Sequence, residues 1–297
     1  MTSQTTIHFS PGLQNAVGRI DYTLCNDVVF HFCAQHSETF LKLLASSFVG
    51  IPMSKIKSVH LENPIDYRTF SGKEIILDIK ILLNDDSIIN FEMQLGFSPS
   101  RSWWINRSLL YLCRCFDNLK KGNDYDLTLP ATQVSIVPED LFPKEPPEFY
   151  AHYMMLNTKT HSPYTSKFKL NVLYLNHINL ATEEDAKNGL VVWAEFFRTD
   201  TWEQLRELVM EHPDFKEVAE MMYDVNADVS ARSIAEAHDK YLHDLASLKA
   251  CMERAAKERQ ETQKELDEAQ KELCQIQKEN DRLLKIIADA GLSPDGK

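Results

Sequence analysis

Two carboxylates, Asp78 and Glu92, lie within consecutive apolar segments whose composition is typical of β-strands. Residues 74–83 and 88–95 are rich in β-branched and aliphatic side chains, and the polar residues 84–87 between them are typical of a turn. The pattern predicts an antiparallel hairpin that carries one acidic side chain on each strand.

The alternation of side chains along each strand decides which polar groups share a face. Asp78 shares a face with Lys80 on the first strand, and Glu92 shares a face with Gln94 on the second. With a three-residue turn at 84–86, Asp78 lies directly opposite Glu92, about 5 Å away at Cβ. Two carboxylates at that separation repel each other unless a cation lies between them or one of them is protonated.

A divalent cation such as magnesium suits this pair, because hard cations prefer oxygen ligands and retain several waters. Such an ion can activate water and stabilise the charge that develops during phosphodiester hydrolysis. Gln94 or Lys80 could orient that water or contact the phosphate. A hairpin with one solvent-exposed polar face shows the same alternation, so spacing alone leaves a surface strand as the alternative.

Hydrophobic periodicity predicts the elements that must position the hairpin. Helical spacing of apolar residues over 27–48 indicates one helix or two short ones, ended by Gly50 and Pro52. A second helix is predicted from about residue 101 to 121. Further strands are predicted at 56–62, 132–137, 149–156 and 167–175.

The chain from about residue 183 onward is predicted to be helical, with Pro213 between two helices. Residues 238–290 are almost free of glycine and proline and show an imperfect heptad repeat, typical of a coiled coil. A lone solvated helix is the alternative. Position a is held by Leu245, Met252, Arg259, Leu266, Leu273, Asn280 and Ile287, and position d by Leu248, Ala255, Thr262, Ala269, Ile276, Leu283 and Ala290.

Composition and charge restrict the class of protein. The net charge of -12 is unfavourable for a polyanionic partner, so any nucleic-acid contact requires a local basic patch or metal ions. The N-terminal residues lack the pattern of a signal peptide and no long apolar run is present, so we expect a cytoplasmic protein. Six cysteines without metal-ligand spacing are expected to be free thiols.

The segment LDIKILLNDDSIINFEMQ, residues 77–94, resembles the signature of the recombination-promoting nuclease family, also described as PD-(D/E)XK nuclease family transposases. The resemblance extends upstream to Asn26-Asp27-Val28-Val29-Phe30 and downstream to Arg107, Tyr111 and Lys121-Gly122-Asn123-Asp124-Tyr125. It covers roughly residues 22–180.

The resemblance implies an α/β fold with a restriction-endonuclease-like αβββαβ core, a mixed sheet flanked by helices, DNA as substrate and a divalent metal, magnesium, as cofactor. It makes Asp78 and Glu92 the metal ligands, places Gln94 where a lysine is usual, and adds Asp27 on the first helix as a further acidic contributor. The proline that usually precedes the aspartate is Leu77 here. Glutamine cannot act as a cation, unlike the usual lysine.

The helix after the hairpin carries a face that can contact nucleic acid. Arg107, Tyr111 and Arg114 lie at i, i+4 and i+7, so they share a face that could turn toward DNA phosphates. The alternative is an arginine paired with a core carboxylate and a packed tyrosine. Trp103 and Trp104, at the start of this helix, are predicted to be core residues.

The sequence therefore predicts a magnesium-dependent DNA endonuclease linked to recombination, transposition or mobile-element biology. Three segments are expected: a nuclease-like domain at 1–180, a helical accessory region at 181–235, and a long helix at 236–297 that forms a homodimeric coiled coil and has a disordered end. The alternative is a catalytically degenerate nuclease fold that acts as a DNA-binding or protein-interaction module. A scaffold in which the coiled coil is the working part is a third possibility.

Overall fold

The computed structural model describes residues 7–62, 79–84, 86–93, 101–138 and 140–289. It divides into two compact units, Met1–Leu242 and His243–Lys297. The helices are α1 Pro11–Asn15, α2 Asp27–His36, α3 Glu38–Val49, α4 Arg101–Phe116, α5 Glu183–Lys187, α6 Leu190–Arg198, α7 Trp202–Glu211, α8 Lys216–Ala227 and α9 Val229–Asp289. The strands are β1 Val59–Leu61, β2 Ile79–Leu83, β3 Ser87–Met93, β4 Ala131–Val137, β5 Tyr150–Met154 and β6 Phe168–Tyr174.

The strands of the first unit form one mixed sheet in the order β1-β2-β3-β4-β6-β5 within the described residues. Strands β1, β2 and β3 are antiparallel neighbours, whereas β3, β4 and β6 run parallel and β5 returns antiparallel to β6. The parallel pair β3 and β4 needs a crossover connection, which α4 provides. The order α3, β1, β2, β3, α4, β4 is the predicted αβββαβ core, so the fold prediction is confirmed.

The hairpin has the register that the three-residue turn predicts. Ile79 pairs with Phe91 and Leu83 pairs with Ser87, so three residues separate the two strands. The turn begins with Asn84 in the left-handed region at φ 52°, a conformation that asparagine tolerates better than most residues.

The two faces of the sheet pack against different helices. Alternate residues of the strands, such as Ile81, Phe91 and Val134, enter the main core together with the apolar faces of α2, α3 and α6. The opposite face lies beneath α4, where Leu112 packs against Ile88. Both faces of the sheet are therefore covered, as is usual for a sheet with parallel strands.

Of the two alternatives predicted for residues 27–48, the structure has the two short helices, α2 and α3, and the next helix is shorter than predicted. Ser37 separates α2 from α3, and its hydroxyl accepts a hydrogen bond from the Phe40 amide at 2.9 Å. Helix α4 ends at Phe116 and not near residue 121. The Asn118 side chain donates to the Cys115 carbonyl and accepts from the Leu129 amide at 3.0 Å each, which turns the chain back toward β4.

The helices after the sheet contribute to the same hydrophobic core as the strands. The Trp193 ring of α6 meets Phe40 of α3 at 5.4 Å between centroids and Phe215 at 4.9 Å. Pro213 occupies the first position of a 3-10 turn between α7 and α8, in agreement with the predicted break. The predicted segment boundaries at residues 180 and 235 stay predictions.

The second unit is the helical segment of α9 from His243 onward. Many of its predicted a and d side chains are exposed, including Leu266, Leu273, Ile276 and Leu283. The described helices include none with both the length and the apolar character needed to cross a membrane. All six cysteines are free thiols, as predicted.

We predict that Phe91→Ala lowers the free energy of unfolding by about 3–5 kcal/mol, the range for truncating a buried phenylalanine. The Phe91 ring is fully buried and meets the Phe48 ring edge-on at 5.3 Å between centroids. Urea denaturation measures this difference. Leu110→Ala is the matched control, because Leu110 is 58% exposed and its truncation should change stability by less than about 0.5 kcal/mol.

Candidate active site

Glu92 lies on the face of β3 that α4 covers, and its side chain has no exposure to solvent. The alternative of a solvent-exposed polar face therefore does not hold for this strand. Burying a carboxylate in its charged form is costly unless opposite charge and hydrogen bonds compensate for the lost hydration. The buried Glu92 carboxylate therefore requires a partner that is positively charged or donates hydrogen bonds.

Arg107 of α4 supplies that partner, since its Nε donates a hydrogen bond to Oε1 of Glu92. The guanidinium also lies over two aromatic rings, with its Cζ 5.1 Å from the ring centroid of Trp103 and 5.1 Å from that of Tyr111. Arg114 lies over the same Tyr111 ring at 5.5 Å. Arginine and tyrosine thus alternate along one face of α4, with Arg107 anchored to the core carboxylate.

The two tryptophans at the start of α4 differ in burial. Trp104 is 1% exposed and packs in the core, as predicted. Trp103 is 36% exposed, so the prediction that it is a core residue is wrong. Consecutive residues of a helix point about 100° apart, so only one of the two can face the sheet.

Asp27 is the first residue of α2, and its side chain is 28% exposed. Burial raises the pKa of this carboxyl from 3.8 to about 7; the charge of Arg107 opposes that rise and the charge of Asp239 adds to it. Arg107 therefore interacts electrostatically with two carboxylates, Asp27 and Glu92. Of these three predicted site residues, Arg107 and Glu92 are in direct contact, and the charge of Arg107 influences the pKa of Asp27.

A row of buried polar side chains lies beside Glu92 on the same face of the sheet. Asn90 donates through Nδ2 to Oε1 of Gln133 at 2.8 Å, and Ser135 is the register partner of Glu92 on β4. All three side chains are fully buried, and Oγ of Ser135 has no hydrogen-bond partner among the described residues. Gln133 and Ser135 were not predicted from the sequence, although their i, i+2 spacing within the apolar β4 segment was a usable signal.

Of the remaining predicted site residues, the structure describes Lys80 but not Asp78 or Gln94. Lys80 is half-buried and pairs in register with Asn90, so it lies on the same face of the sheet as Glu92. Asp78 and Gln94 lie outside the described residues, so their predicted roles stay predictions.

A metal ion in a protein is held by several ligating side chains that lie close together. The described residues contain no group of three histidine, cysteine, aspartate or glutamate side chains that could hold a metal. They do contain two carboxylates, Asp27 and Glu92, that interact with the same arginine cation. Carboxylate oxygens are the ligands that hard divalent ions prefer, so Glu92 could hold such an ion together with Asp78, as the sequence predicts, if Arg107 released it.

Comparison with known families decides the relationship of the chain. The family described as PD-(D/E)XK nuclease family transposase matches residues 24–252. The chain belongs to this family. No curated protein matches the chain. No solved structure matches it either.

Membership in the PD-(D/E)XK nuclease family transposases gives the chain a nuclease- or transposase-related function, and DNA is the substrate that the family implies. PD-(D/E)XK nucleases generally use divalent metals, in agreement with the oxygen-rich chemistry of the site. The match begins at residue 24 and includes α2 as well as the hairpin and α4, so Asp27, Glu92 and Arg107 all lie within the family region.

We predict that Asp27 makes the stability of this PD-(D/E)XK nuclease family transposase depend on pH. Because the folded-state pKa is raised, the protonated carboxyl favours folding, and that contribution is lost as pH rises toward about 7. Between pH 5 and pH 8 the wild type should lose about 1–3 kcal/mol relative to Asp27→Asn. Urea denaturation at both pH values measures this difference, with exposed Asp281→Asn as control. If the free energy of unfolding depends on pH equally in the wild type and in Asp27→Asn, the raised pKa of Asp27 is refuted.

Proposed function

We propose that this protein is a magnesium-dependent DNA endonuclease that hydrolyses phosphodiester bonds at a site formed by Asp78, Glu92 and Gln94. The observation that carries the proposal is the fully buried Glu92 carboxylate beneath an arginine-bearing helix. Family membership supports DNA as the substrate. The biological setting that we propose is recombination, transposition or mobile-element biology.

Each residue of the proposed site has a role that follows from its chemistry. Glu92 and Asp78 would hold the magnesium ion, which supplies Lewis-acid stabilisation and lowers the pKa of bound water. Gln94, as a neutral amide, can orient the attacking water by donating and accepting hydrogen bonds. Lys80, on the same face as Glu92, can contact the scissile phosphate. Asp27 is suited to proton transfer near neutral pH, because its pKa of about 7 allows both protonation states.

Helix α4 provides the local basic surface that an acidic protein needs in order to bind DNA. Residues 101–116 contain three arginines and no aspartate or glutamate, against a net charge of -12 for the chain. Arg107, Tyr111 and Arg114 lie along one face of this helix and begin beside Glu92. We propose that Arg107 and Arg114 contact the phosphates that flank the cut, a role that arginine geometry favours.

A plasmid-cleavage assay tests the proposed activity. We expect the purified protein to cut supercoiled DNA when magnesium is present, and we expect cleavage to stop when a chelator is added. Glu92→Gln and Asp78→Ala should each reduce the rate at least about 100-fold, since they remove charge that holds the ion. The control is Asp86→Asn in the exposed turn of the same hairpin, which should cut at the wild-type rate.

The assay also separates the proposal from a second candidate function. Cleavage that continues unchanged in Asp78→Ala would contradict the endonuclease proposal. The Arg107–Glu92 ion pair favours the second candidate, a catalytically degenerate fold that binds DNA or protein, because the guanidinium neutralises a carboxylate that a metal would need. DNA binding that does not need magnesium, without any cleavage, would establish this candidate.

We further propose that the protein is a homodimer through a coiled coil formed by the second unit. The exposed apolar residues Leu266, Leu273, Ile276 and Leu283 fall on the predicted a and d positions. A second copy would bury this stripe, because a and d side chains form the seam of a coiled coil.

Sedimentation equilibrium of the full chain tests the dimer. The wild type should show twice the monomer mass of 34.2 kDa. Leu273→Glu combined with Ile276→Glu should give the monomer mass, because it places like charges in the apolar seam. Lys278→Glu, at the outer f position, is the matched control and should stay dimeric. Monomer mass for the wild type at micromolar concentration would contradict the proposal.

A further inference from the structure

The beginning of α9 belongs to the first unit and lies against the N-terminus of α2. We call residues 229–242 the α9 root. Ala235 of the root and Val28 of α2 pack against each other, and both are buried at 1% exposure or less. The contact joins parts of the chain that lie about two hundred residues apart, directly beside Asp27.

We propose that the α9 root is part of the nuclease centre, with His238 and Asp239 acting as positioning residues for Asp27. The inference rests on the proposed function, because it assigns the two residues to the same reaction. The contacts of these two side chains in the described residues are with Asp27 and Asn26, so their influence on the reaction must pass through Asp27 and its helix.

Asp239 acts on the N-cap of α2. The Asn26 side chain caps this helix, since its Oδ1 accepts from the Val28 amide at 3.0 Å and from the Val29 amide at 3.3 Å. Its Nδ2 donates to Oδ1 of Asp239 at 2.9 Å. A carboxylate can only accept hydrogen bonds, so Asp239 fixes the orientation of the Asn26 amide and keeps its oxygen toward the helix. The first turn of α2, which begins with Asp27, is thereby held in place.

His238 acts on the Asp27 carboxyl itself. The imidazole is 1% exposed, and its Nε2 lies 4.0 Å from Oδ2 of Asp27. Its Nδ1 is buried without a hydrogen-bond partner among the described residues. A buried polar ring with an unsatisfied nitrogen is costly for stability, and such sites are concentrated where function requires them. From this position beside the carboxyl, His238 can limit the rotation of the Asp27 side chain.

Amide hydrogen exchange tests the role of Asp239 without reference to activity. Asp239→Leu should speed exchange at the Val28 and Val29 amides about fivefold, because the cap is no longer fixed. Asp239→Asn should exchange at the wild-type rate, since its amide oxygen can still accept from Asn26. Lys240→Leu, on the exposed side of the same helix, is the control for the added leucine. Equal exchange in wild type and Asp239→Leu would overturn this part of the proposal.

Cleavage kinetics in a double-mutant cycle test whether His238 acts through Asp27. His238→Leu should lower kcat about tenfold with little change in KM for DNA, and His238→Gln should restore most of kcat because its Nε2 can occupy the place of the imidazole nitrogen. In an Asp27→Asn background, His238→Leu should have no further effect.

The outcomes of the two experiments separate the inference from the proposed function. If His238→Leu and Asp27→Asn have additive effects on the free energy of activation, the positioning role of His238 is overturned. The endonuclease proposal is unaffected by that result as long as the wild-type protein cleaves DNA. If the wild type does not cleave DNA at all, the endonuclease proposal fails, and the exchange rates of Val28 and Val29 still decide whether the α9 root orders the start of α2.

Discussion

The Glu92 carboxylate is removed from solvent on a sheet whose two faces are both covered, and a charge in that place is tolerated only with a compensating cation. Arg107 provides that cation from α4. Helix α4 can reach Glu92 because the parallel connection from β3 to β4 carries it across this face of the sheet. The pairing therefore fixes the position of the helix whose arginines we propose to contact DNA.

The same arginine links the sheet to α2, because Asp27 interacts with it from the start of that helix. Asp27 is in turn surrounded by groups from α9, namely His238 beside its carboxyl and Asp239 at the adjacent N-cap. The site is thus assembled from the strand β3 and three helices. The groups of α9 are connected to Glu92 through Asp27 and Arg107, and we treat these polar groups as one network.

The sequence was sufficient to predict the register of the hairpin, because the length of the turn sets it. It also predicted which side of β3 carries Glu92, because side chains alternate along a strand. It was not sufficient to separate a buried carboxylate from an exposed one, since burial depends on where α4 packs. The spacing of Arg107, Tyr111 and Arg114 predicted a common face, but the partner of Arg107 required the fold. His238 and Asp239 were missed because their contacts join distant segments, and nothing in the local pattern of α9 distinguishes them from solvated helix positions. The roles of Asp78 and Gln94 rest on the sequence alone.

The central claim is that the Glu92 carboxylate serves as a metal ligand. Anomalous diffraction from crystals soaked with manganese, which takes the same oxygen ligands as magnesium, tests it most directly. We predict a manganese peak within about 2.5 Å of carboxylate oxygens of both Glu92 and Asp78, with the Arg107 guanidinium displaced from Glu92. A fully soaked crystal in which Arg107 remains on Glu92, with no manganese beside either carboxylate, would contradict the account.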